Sequence, residues 1–101
     1  MFCSVLVRRL KEGVSFEDFR KAWEPEAGHF GLPVRVYHAR RIDDEREIVS
    51  FSLMDLDAEG LDALGRRVAE GEKQRHERIA GFVEPTMTRG IYEVFAEVDL
   101  S

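Results

Sequence analysis

His38 has the setting best suited to chemistry among the chain's three histidines, His29, His38 and His76. It lies in the run 34–42, VRVYHARRI, which alternates as a strand does. A histidine on a strand that faces an enclosed space can move a proton near neutral pH. On the same face Arg40 or Arg8 can steady negative charge developing on an oxygen, and Glu93, with Glu97, can orient the imidazole. His38, Arg40 and Glu93 are therefore the candidate catalytic residues. The competing reading makes them a polar network at a subunit seam.

Trp23 and His29, beside Phe30, flank a glycine-containing loop and could close over a ligand, although Trp23 reads first as the largest core anchor of its helix. His76 sits in EKQRHER, 72–78, which reads as a solvated helix face. The three histidines lack helical i, i+3 or i+4 spacing and Cys3 is the only cysteine, so neither a metal nor a bound cofactor is expected. No phosphate-binding, dinucleotide or nucleophile-elbow motif is present.

The elements that must position these residues belong to a short chain. Its 101 residues fit one domain, 1–101, with no internal repeat, low-complexity tract or linker. Fifteen Lys and Arg face twenty Asp and Glu, a balance that argues against a nucleic-acid partner. The pairs Arg8-Arg9, Arg40-Arg41 and Arg66-Arg67 each have acids nearby and read as exposed charge. A lone cysteine in an apolar run suits a reducing compartment, and no apolar run is long enough to span a membrane. Arg8 and Arg9 follow the first apolar run, the wrong order for a secretory signal, so a cytoplasmic location is expected.

The run 2–10, FCSVLVRRL, reads as a first strand. Ser15 opens S-F-E-D, a capping-box-like start with Asp18 at the third helical position. Phe16, Phe19, Ala22 and Trp23 then fall at helical spacing, and Pro25 ends the helix. A loop covers 26–33, a second strand 34–42, a polar turn 43–46 and a third strand 47–55. Asp57 caps a second helix through Leu61, Leu64 and Val68 towards Ile79, with Gly71 the natural place for a break. The run 89–100, RGIYEVFAEVDL, is a final strand. Right-handed crossovers place both helices on one face of a single antiparallel sheet, which is the α+β, ferredoxin-like βαββαβ arrangement.

Alternation divides the strands into two sets. Cys3, Val5, Val7, Val49, Phe51, Leu53, Tyr92 and Val94 form the more apolar set and are expected under the helices, with Tyr37 and Ala39. The mixed set includes Leu6, Arg8, Ser52, Met54, Phe95 and, from the ambiguous second strand, His38 and Arg40. An open face carrying that many large apolar groups calls for a partner, and a second copy related by two-fold symmetry would cover it. The space enclosed between the two sheets is the expected pocket. Leu6, Arg8, Trp23, Ser52, Met54 and Phe95 are its candidate ligand-binding residues.

The segments FEDFRKAW at 16–23, RHERIAGF at 75–82 and GIYEVF at 90–95, together with length and element order, resemble the dimeric α+β-barrel superfamily. Its members include antibiotic-biosynthesis monooxygenase-type and ethyl-tert-butyl-ether-degradation-type proteins. The resemblance implies a homodimer of ferredoxin-like units that binds a small aromatic or polyketide-like molecule, in some members as a cofactor-free oxygenase. Haem-degrading members combine a first-strand asparagine, a third-strand tryptophan and a second-helix histidine. This chain has no asparagine, carries Leu53-Met54 where the tryptophan would stand, and retains only His76, so haem degradation is not expected. Three readings stay open: an oxygenase-like enzyme, a non-catalytic carrier or sensor using the same cavity, and a structural dimer module.

Overall fold

In the computed structural model, which describes all 101 residues, the strand and helix order is β1 (Phe2–Arg9), α1 (Phe16–Trp23), β2 (Tyr37–Arg41), β3 (Asp44–Met54), α2 (Ala58–Ile79) and β4 (Thr88–Glu93). The four strands form one antiparallel sheet in the order β2-β3-β1-β4. This is the ferredoxin-like arrangement expected from the sequence.

Local chemistry accounts for the element ends. The Ser15 hydroxyl accepts from the Asp18 amide, and the Asp18 carboxylate accepts from the Ser15 amide, closing a capping box at the start of α1. Asp57 caps α2 through the Gly60 amide. α2 runs unbroken through Gly71, contrary to the expected break, and the absent side chain at that position admits the His29 ring. A Cβ there would lie 2.5 Å from His29 Cε1.

Several boundaries differ from the sequence reading. β2 begins only at Tyr37, the turn contracts to 42–43, and β3 starts at Asp44. Asp44 joins the strand by pairing with Arg41 of β2, and Arg9 holds its carboxylate at 3.0 Å. β4 stops at Glu93 instead of running to Leu100. Its neighbour β1 begins at Phe2, paired with Glu93, and a last bond runs from the Val94 amide to the Met1 carbonyl. Past that point the alternating tail has no strand beside it to supply hydrogen bonds.

The largest correction concerns the faces of the sheet. The helices cover the mixed set, in which Arg8, Ile48, Ser50, Ser52 and Met54 are buried. The apolar set lies on the uncovered face, where Leu53, Tyr37 and Tyr92 are more than half exposed and Tyr37 stacks on Phe51. Alternation sorts side chains into two sets without saying which set the helices take. The tie is broken by large groups at the ends of the strands. Leu10 and Ile48 pack with Phe19, Ile79 and Val83 into a core, braced by Val14, Phe16 and Trp23.

That core occupies one end of the helix-covered face. Replacing the fully buried Phe19 removes its central ring. Phe19→Ala should cost about 3–5 kcal/mol, read as a lowered urea midpoint; a loss far below that would show that the core does not depend on it.

Candidate functional site

Moving along β1 and β3 away from the core, the helix-facing positions become small. Ser4 lies opposite Ser52, and Leu6 opposite Ser50, across the β1–β3 ladder. Serines leave unfilled the space that larger groups would occupy beneath α2. A cavity of about 550 Å³ lies there. Ser4, Leu6, Arg8, Ser50, Ser52 and Met54 form its floor, and Leu61, Leu64, Val68, Glu72, Arg75 and His76 of α2 its roof. Trp23 of α1, Arg89 and Ile91 of β4, and Phe30, Val34 and Val36 of the connecting loop complete the wall. The cavity thus lies within one chain, between sheet and helices, and not between two sheets.

The loop is anchored where it crosses α2. His29 Nε2 lies 2.9 Å from Glu72 Oε1, its ring packs on Gly71, and Arg67 donates to the Gly28 carbonyl at 3.2 Å. Gly28 and Gly31 adopt positive φ, which lets the loop fold back towards the helix.

Of the residues singled out from sequence, Leu6, Arg8, Trp23, Ser52 and Met54 all border the cavity. Phe95 lies past the end of β4 and is 92% exposed. Glu93 and Arg40 are exposed and stand outside the wall. His38 faces the helices, with Tyr37 and Ala39 on the other side of β2, the reverse of their expected placement. Its ring is surrounded edge-on by Trp23, Phe16 and Phe19, at centroid distances of 4.4, 5.5 and 5.8 Å. Its Nδ1 lies 2.7 Å from Ser50 Oγ, so His38 reaches the cavity through that serine.

Sequence reading missed the charged roof. Glu72, Arg75 and His76 turn inward, and Arg75 is only 6% exposed. The signal was available: the stripe Leu61, Leu64, Val68 continues at three- and four-residue steps through Glu72 and Arg75 to Ile79. Arg75 donates to the Trp23 carbonyl at 2.8 Å, sits over the Trp23 ring at 5.0 Å and pairs with Glu72. Arg89 donates to His76 Nδ1, which therefore carries no proton. Arg8, expected to border a pocket, is 3% exposed with its guanidinium carbon 5.6 Å from the Phe19 ring centroid.

Burial, reinforced by Arg75 and Arg89, lowers the Arg8 pKa to about 10, so it stays charged at neutral pH. Burial would raise the Glu72 carboxyl, but the His29 hydrogen bond and Arg75 outweigh it and hold it below its ordinary value. No group of three or more His, Cys, Asp or Glu side chains is arranged to hold a metal ion. No helix is long and apolar enough to cross a membrane.

No described protein family and no curated protein matches the chain. Among solved structures, it is similar to an uncharacterized NIPSNAP domain protein from Burkholderia xenovorans, with a TM-score of 0.68 at 16% identity. The match covers 98% of this chain and 99% of that one. At that identity the likeness is one of fold, the ferredoxin-like α+β arrangement.

Burial and then the arginines depress His38, and burial and Arg89 depress His76. Below their ordinary value of 6.5 the unfolded chain takes up protons that the folded chain refuses, so stability is lost as the pH is lowered. Urea unfolding between about pH 7.5 and about pH 5.5 should show this loss, and His38→Asn should reduce its slope. An unchanged slope would mean that His38 titrates alike in both states.

Proposed function

We propose that the protein binds a small, largely apolar or aromatic molecule in the cavity between α2 and the sheet. The observation that carries this reading is the cavity itself. Its volume lies within the range of roughly 300–1,000 Å³ common to small-molecule sites, and eleven of its twenty-one lining residues are hydrophobic. Trp23, Phe30, Met54 and Ile91 offer flat or flexible apolar surface, and the serine hydroxyls offer a few polar contacts.

A second reading is favoured by one contact. Because Ser50 borders the cavity and its hydroxyl lies 2.7 Å from His38 Nδ1, the pair can relay a proton to or from a bound molecule. This is the form in which the oxygenase-like chemistry implied by the sequence resemblance would operate here. Oxygen uptake and product formation on adding ligand, abolished in His38→Ala with binding retained, would select it over carriage.

The reading includes a homodimer. Only 12 of 101 residues are buried, and the open face carries Val5, Val7, Phe51, Leu53, Tyr37 and Tyr92 with nothing of the chain's own helices above them. An isologous pairing of these faces would remove that surface from water.

The neutral fluorophore N-phenyl-1-naphthylamine should bind the purified protein, and Ser52→Phe, which fills the floor, should weaken it by roughly tenfold or more. Absent binding, or equal binding by the folded variant, would reject the cavity as the site. Light scattering should give twice the 11.6 kDa chain mass, and Leu53→Asp should return it to one chain. A wild-type monomer at micromolar concentration would reject the dimer.

A further inference from the structure

We propose that the cavity selects molecules that carry a planar oxygen anion, a carboxylate above all, on an apolar body, and that Arg8 is the residue that pairs with it. This rests on the ligand-binding reading above and names the class of molecule that the site takes.

Arg8 Nη1 is the one buried side-chain nitrogen or oxygen in the protein without a hydrogen-bond partner. None of the ion pairs includes Arg8. A buried cationic donor with no acceptor is costly, and native proteins rarely leave one unless something arrives to meet it. The guanidinium carbon lies over the Phe19 ring, 5.6 Å from its centroid, at the boundary between core and cavity.

The charge around it points the same way. The chain carries a formal net charge of −5, yet the charged groups in the cavity wall are three arginines, Arg8, Arg75 and Arg89, against Glu72 alone. Glu72 is already engaged by Arg75 and His29, with His76 Nε2 3.4 Å from its other oxygen. Arg75 is committed to Glu72 and the Trp23 carbonyl, and Arg89 to His76. Arg8 alone of the three has no partner. Its planar fork matches a carboxylate with two parallel hydrogen bonds, whereas a cation would meet only repulsion.

The test uses the full chain and a matched pair of probes, naphthalene-2-carboxylate and 2-naphthylmethanol, displacing the fluorophore. The carboxylate should bind roughly tenfold or more tightly than the alcohol, as a hydrogen bond to a buried charge implies. Arg8→Met should erase that preference, bringing the carboxylate's affinity down to the alcohol's or below. If the alcohol binds and the carboxylate binds no better, the anion proposal falls and the cavity reading stands. If neither binds, both fall. Loss of the preference in Arg75→Met but not in Arg8→Met overturns the assignment to Arg8. Should Arg8→Met fail to fold, the wild-type ratio still decides the anion preference, and Arg8→Lys, which keeps the charge and loses the planar fork, should reduce it if Arg8 is the partner.

Discussion

The space between α2 and the sheet depends on a small fact about volume. Where β1 and β3 present Leu10 and Ile48 to the helices, side chains meet and a core closes around Phe19. Where the same strands present Ser4, Ser50 and Ser52, nothing reaches the helix, and a cavity remains. Because helix-facing positions recur every second residue, three serines at that period are enough to hollow out one end of the covered face. The roof over that end is rigid: α2 is one uninterrupted helix, anchored at its end by Ile79 in the core.

Such a hollow would be of little consequence if it were uniformly oily. The roof instead brings Glu72, Arg75 and His76 in from the helix, while Arg8 and Arg89 arrive from the sheet. Charges partly withdrawn from bulk water interact more strongly than they do in free solution. Most of these groups answer one another, which fixes the proton position on His76 and pins the connecting loop through His29. The unanswered one is Arg8, and its lowered pKa and orphaned nitrogen are two signs of the same imbalance.

The uncovered face poses the opposite problem. Its side chains are apolar but have only water above them, with Leu53 61% exposed. Beyond it runs the tail after Glu93, whose Phe95, Val98 and Leu100 are exposed with no strand beside them. An isolated chain of this design buries little of its own apolar surface, and small domains have little stability to spare.

The order of elements, both helix caps and the antiparallel ferredoxin-like topology were legible in the residues, since periodicity, capping chemistry and crossover handedness are local or nearly local rules. So was the grouping of Leu6, Arg8, Ser52 and Met54, which share one face of adjacent strands whatever that face meets. Three things needed the folded chain. One was the choice of face under the helices, because alternation is symmetric between two sides and the less apolar side was the covered one. Another was the inward turn of Glu72, Arg75 and His76, which looked like solvated charge because the groups they meet outside the helix, His29, Trp23 and Arg89, come from other elements. The last was where β4 ends, for a strand persists only as far as its neighbour does, and that limit is set by pairing with β1 and not by the tail's own alternation.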